Sequence, residues 1–130
     1  MTEEEWARFV GGDGDEIRRI CRVPNPIVRW FQAYDDILYV RREYAQKLVY
    51  KHNIAIHELP LIEIAIHHGI ARSDKLYHAM FVYEDRSVTG RSLKATIKTN
   101  RKGSYLFLCT FHKVLPGEAS RLIRKHKPIP

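Results

Sequence analysis

The stretch from 91 to 115, RSLKATIKTNRKGSYLFLCTFHKVL, limits more than any other how this chain can fold. Apolar and polar residues alternate on both sides of Asn100-Arg101-Lys102-Gly103, the period-2 signature of two strands joined as a hairpin. Those four residues suit a type I turn whose glycine takes the left-handed conformation and forms a bulge, which sets Asn100 opposite Ser104. Thr99 then meets Tyr105, Ile97 meets Phe107, Ala95 meets Cys109 and Leu93 meets Phe111, giving one apolar face that must pack on helices. The opposite face carries Lys98, Thr96, Lys94 and Ser92 beside Leu106, Leu108, Thr110 and His112, with Lys94 across from Thr110 and Ser92 across from His112. A two-residue loop would shift the pairing by one and mix lysine with phenylalanine on one face.

Upstream of the hairpin the pattern is mixed. Thr2 and Glu5 form a capping box for a helix over 2–10 that ends at Gly11-Gly12-Asp13-Gly14, a turn without the GK[ST] of a phosphate loop or the closing Glu of a calcium loop. Residues 16–23 read as a strand or a short helix, Pro24-Asn25-Pro26 breaks the chain, 27–34 form a short helix, and 37–40 a short strand. From 41 to 52, Tyr44, Ala45, Leu48 and Val49 recur at helical spacing and leave Arg41, Arg42, Lys47 and Lys51 on the solvent side, with His52 closing the helix. A second helix is expected over 57–68, with Pro60 in its first turn and Gly69 as its stop. Strands follow over 77–83, 91–99 and 104–115, and 121–127 is a basic helix or frayed strand end.

Composition sets the class. At 130 residues, 45% hydrophobic and 28% charged, the chain is one globular domain with a core of its own: an N-terminal layer (1–36), a central unit (37–115) and a basic tail (116–130). The expected fold is α+β, with N-terminal helices packed on an antiparallel sheet of about four strands. No apolar run is long enough to span a bilayer, the start MTEEEWARF is acidic, and a cytoplasmic home with no membrane partner is expected. Cys21 and Cys109 stand far apart and read as reduced packing residues.

Charge points to the partner. The net charge is +7, but residues 1–85 carry 11 basic and 14 acidic side chains, whereas 86–130 carry 11 basic and one acidic, Glu118. Solubility needs net charge but not such segregation, and the C-terminal third presents a field that attracts a polyanion, nucleic acid most simply. The face bearing Lys94, Lys98, Thr96, Thr110 and His112 suits phosphodiesters. Metal-free RNA cleavage needs a base for the 2′-hydroxyl, cations for the phosphate and an acid for the leaving 5′-oxygen. His112 or His52 has the right pKa range for base or acid, Lys94, Lys98 and Arg91 can hold phosphate, and Thr110 can donate to it. Lys51, Arg101, Lys102 and Lys113 extend the RNA-binding set. The same residues also describe a non-catalytic nucleic-acid-binding module that uses cations and aromatics, or a basic surface for an acidic protein. His67 and His68 at a helix end read as caps, His57 as a helix-start or surface residue, and the histidine spacing matches no metal motif, so no metal or cofactor is expected.

The run ILYVRREYAQKLVYKHNIAIHELPLIEIAIHHGI, followed by YHAMFVYED and RSLKATIKTNRKGSYLFLCTFHKV, resembles phage-associated members of the barnase, EndoU, colicin and RelE-like (BECR) nuclease superfamily over residues 37–115. The resemblance lies in order and texture: a strand running into a helix that ends in Lys-His, a helix exit at Gly69, and a closing hairpin with a Thr-aromatic step. It implies a compact α+β fold and a toxin or effector ribonuclease that leaves a 2′,3′-cyclic phosphate without metal. It maps His52, Arg91, Lys94, Thr110 and His112 onto the catalytic positions, and it implies an antitoxin or immunity protein as partner.

Overall fold

The computed structural model describes residues 1–84 and 91–130. Helix α1 (Glu3–Val10) begins with the expected capping box: the Glu5 N–H donates to Thr2 Oγ1 and the Thr2 N–H donates to the Glu5 carboxylate. The elements that follow are β1 (Ile17–Arg22), α2 (Asn25–Phe31), β2 (Ile37–Arg41), α3 (Arg42–Tyr50), a 3₁₀ turn (Ile56–Glu58), α4 (Leu61–His68), β3 (Ile70–Ser73), β4 (His78–Tyr83), β5 (Ser92–Lys98), β6 (Leu106–Val114) and α5 (Pro116–Lys125). Pro60 divides the expected 57–68 helix into the 3₁₀ turn and α4, since its ring is accommodated only ahead of the first regular helical turn.

The α+β class holds, with two corrections to the expected sheet. It has six strands in the order β1-β2-β6-β5-β4-β3 instead of about four, and β2 and β6 pair in parallel at Leu38–Leu106 and Tyr39–Phe107. The strand missed in the sequence is β3, whose IARS is too short and too polar to show a period. The sequence does not distinguish strand from helix at β1, because its three arginines interrupt the apolar pattern.

Helices cover both faces of this sheet. On one face Trp6, Phe9, Ile27, Leu48, Ile62 and Ile66 from α1–α4 meet Phe81, Leu93, Ile97, Leu106, Leu108 and Phe111 in the main core. On the other, Ala119 and Leu122 of α5 close over Met80, Val82 and Val114. The C-terminal segment is thus a packing element: beyond α5 the chain returns along the β3 edge, where the Ser73 N–H donates to the Lys127 carbonyl at 2.8 Å and Arg72 Nε to the Ile123 carbonyl at 3.0 Å. That contact covers an edge that would otherwise expose unpaired backbone groups.

Arg42 also departs from its expected place on the solvent side of a helix. Its side chain is buried, and its guanidinium donates to the carbonyls of Phe9, Asp13, Gly14 and Asp15 and to the Glu16 carboxylate. The loop after α1 can turn its carbonyls onto one guanidinium because Gly12 and Gly14 adopt φ of 108° and 78°, a region closed to most side chains.

The β5–β6 hairpin forms with Gly103 left-handed (φ 77°) as expected, but its register differs. Lys94 pairs with His112, Thr96 with Thr110, Ile97 with Leu108 and Lys98 with Phe107, with a bulge at Cys109. The turn backbone bonds to other segments: the Thr99 N–H donates to the Tyr77 carbonyl, the Gly103 N–H to Gln32, and the Tyr34 N–H to Ser104. These tertiary bonds widen the connection and move the register by two residues over Ser92–Thr96. The bulge then puts Leu106, Leu108 and Phe111 together in the core and turns Phe107 to the opposite face. No helix among the described residues is long and apolar enough to cross a membrane.

Candidate active site on the open sheet face

β2 stays beside β6 only as far as Tyr39–Phe107 and then turns into α3, so the upper half of β6 faces α3 instead of a neighbouring strand. Asn53 takes the left-handed conformation (φ 57°), the Ile54 N–H donates to the Leu48 carbonyl, and Ile54 plunges into the core. This sharp exit holds His52 at the tip of α3, above β6. Its ring stands edge to face with that of His112, centroids 6.3 Å apart. Lys94 lies directly across the ladder from His112, where cross-strand Cβ atoms are about 5 Å apart.

Two imidazoles and one ammonium are therefore brought together from α3, β5 and β6. The shifted register improves on the expected one, which had set Lys94 across from Thr110. His112 is held below the ordinary imidazole value of 6.5: its partial burial disfavours the charged form, the Lys94 ammonium and His52 add to this, and Glu118 in the first turn of α5 opposes them. The shift favours the neutral form of the His112 ring, the form that can accept a proton.

Other expected site residues separate. Lys113 points through the sheet, away from His112, and pairs with Glu58 at 2.8 Å. Burial would raise the Glu58 carboxyl, but the Lys113 hydrogen bond, the Ala55 N–H and nearby positive charge outweigh it and hold it below the usual range. Arg91 lines the same hollow of about 610 Å³ with Glu58 and Lys113, together with Tyr83 and Leu93. Arg91 and Lys113 also line a second hollow with Val114, Leu115 and Glu118 at the start of α5, so both sit at the end of the β5–β6 pair and not beside His52. Thr96 is buried, and the Thr110 hydroxyl is enclosed without a hydrogen-bond partner, so both lie in the floor of the site. Lys98 is exposed on the His112 face, Lys51 is exposed beside His52, and Arg101 and Lys102 are exposed in the turn.

Of the remaining histidines, His67 Nε2 contacts the Arg22 carbonyl at 2.9 Å, tying α4 to β1 instead of capping its own helix, and His78 Nδ1 contacts the Leu76 carbonyl at 2.7 Å. Burial pushes the Cys21 thiol up to about 12, which makes it inert, as a packing residue should be. No group of three potential metal-ligating side chains occurs among the described residues.

The residues missed in the sequence are aromatic. Tyr34, Tyr105, Tyr39 and Phe107 form one continuous series of ring contacts, with the Arg41 guanidinium 4.7 Å from the Phe107 centroid. Only the bulge at Cys109 reveals them, because without it Phe107 belongs to the core face. No protein-family model, curated protein or solved structure matches this chain.

Proposed function

We propose that this protein is a metal-independent endoribonuclease that acts as a toxin or effector, with His52, His112 and Lys94 at its centre. The observation that carries this reading is the pair of imidazoles 6.3 Å apart, contributed by different elements, beside a half-buried lysine on the sheet face that α5 covers only in part. His112, whose surroundings favour the neutral ring, takes the proton from the RNA 2′-hydroxyl. The freed oxygen attacks the adjacent phosphorus, and Lys94 offsets the negative charge gathering on the phosphoryl oxygens. The P–O5′ bond breaks as His52, in the role of general acid, delivers a proton to the leaving oxygen, leaving a 2′,3′-cyclic phosphate and a 5′-hydroxyl. The resemblance to the barnase, EndoU, colicin and RelE-like superfamily supports the same chemistry, and makes an antitoxin or immunity protein the natural companion of the toxin.

The test is incubation of the purified chain with total RNA in excess EDTA, followed by analysis of the ends. Fragments bearing 2′,3′-cyclic phosphate are expected; intact RNA that is still retained at low salt would instead select the non-catalytic binding module. The pH profile adds a second check. Because burial and, after it, the Lys94 ammonium depress His112, the acid limb of kcat/KM should lie below pH 6.5, with activity present above the limb and lost as His112 protonates below it. Lys94→Met should lower the rate and also move the limb upward; a limb that does not respond to Lys94 would remove His112 from the role of base.

A further inference from the structure

The aromatic series lies on the same face of the sheet as His112. Lys98, cross-strand from Phe107, is four residues from Lys94, cross-strand from His112, so a strand length of about 13 Å separates the two ends. Beyond Phe107 the rings continue as Tyr39, 5.9 Å away, then Tyr105 at 5.5 Å and Tyr34 at 4.9 Å. The Tyr39 hydroxyl donates to Asp35 at 2.7 Å, which fixes the middle of the series. The outer rings stay open, Tyr34 at 69% exposure and Tyr105 at 46%. A single aromatic at the surface is ordinary, but four linked in series by ring contacts, with Arg41 over the ring at one end and Lys98 beside it, form an aromatic patch interleaved with cations.

We infer that Tyr105 and Tyr34, continued by Tyr39, Phe107 and Arg41, form a stacking platform for the unpaired bases of a single-stranded RNA whose backbone runs along Lys98 and Lys94 to His112. This rests on the nuclease reading and deepens it by naming the substrate as single-stranded. Charge complementarity selects this occupant: Arg41, Lys98 and Lys94 border the path, while the nearby Asp35 is engaged by Tyr39 and the Ile37 N–H. A paired base keeps its faces within its own stack and cannot use exposed rings, whereas an unpaired base has a free face. At the roughly 3.4 Å rise of a stacked strand, about four nucleotides cover the distance between the histidines and Phe107, and a splayed strand needs fewer.

The experiment measures binding of a 2′-O-methyl octanucleotide, which has no free 2′-hydroxyl and so remains intact on the wild-type protein, at fixed salt. Tyr105→Ala should weaken it roughly tenfold, Tyr105→Phe should restore most of the affinity, and the salt slope should stay unchanged because no phosphate contact is removed. A dinucleotide and an RNA duplex of the same sequence should be indifferent to the substitution. If Tyr105→Ala melts early, Tyr34→Ala, at a more exposed ring, carries the measurement. An octanucleotide affinity that ignores both substitutions overturns the platform, even where unmodified RNA is cleaved. Affinity that depends on Tyr105, with unmodified RNA left uncut, keeps the platform and removes the nuclease.

Discussion

Alanine at position 112 is expected to abolish RNA cleavage, by roughly 10²- to 10⁴-fold, while leaving the melting temperature at the wild-type value. The size follows from the role: without an imidazole across from Lys94, no described group is placed there to take the 2′-hydroxyl proton. Stability should hold because His112 is partly open to solvent, in edge-to-face ring contact with His52, and outside both hydrophobic clusters. His52→Ala should produce a comparable loss, and the double variant little more than either single one, since acid and base serve one concerted transfer and their effects do not add. Fragment ends from RNA treated in EDTA provide the readout. Cleavage that survives in the folded His112→Ala protein would remove the mechanism, whatever the fold resembles. Wild-type chain that expresses poorly, with recovery in either histidine variant, would fit the toxin role.

The largest effect on folding is expected at Arg42. Its guanidinium gathers four backbone carbonyls and the Glu16 carboxylate, with Nε 2.7 Å from the Phe9 carbonyl and the head group over the Phe9 ring at 5.1 Å. It thereby fastens the end of α1 and the following loop onto the start of α3. Truncation leaves several inward-facing carbonyls without donors, each costing on the order of 1 kcal/mol or more. Arg42→Met should therefore lose about 3 kcal/mol, seen as a fall in Tm of roughly 10 °C. Arg42→Lys should recover little, because an ammonium on a single stem cannot spread its donors over five oxygens as a planar fork does. A melting curve within about 2 °C of wild type would show that the loop is held by the Phe9 and Val10 packing alone.

The local features were legible from residues close in the chain. The capping box at Thr2 and Glu5, the left-handed Gly103, the break at Pro24-Asn25-Pro26 and the helix over Tyr44 to Leu48 each depend on side chains within a few positions of one another. The candidate site was legible in part for the same reason: the concentration of lysine and arginine after residue 85 and the alternation along 91–115 put Lys94 and His112 on one polar face. Which residues stood directly opposite was not legible. The hairpin turn gives its backbone groups to Gln32, Tyr34 and Tyr77, partners that lie far away in the sequence, and the register follows those bonds.

The sequence by itself determined the α+β class, the segregated positive charge, and a strand hairpin with one apolar and one basic face, since all three follow from composition and period. Tertiary structure decided the parallel pairing of β2 with β6, the cover that α5 lays over Met80 and Val82, the bulge that turns Phe107 outward, and the meeting of His52 with His112. Each of these is a contact between segments many residues apart. A strand's own alternation states that it has two faces, but which neighbour satisfies its hydrogen bonds, and which helix end stands above it, is settled only when the competing backbone donors and acceptors of the whole chain are paired at once.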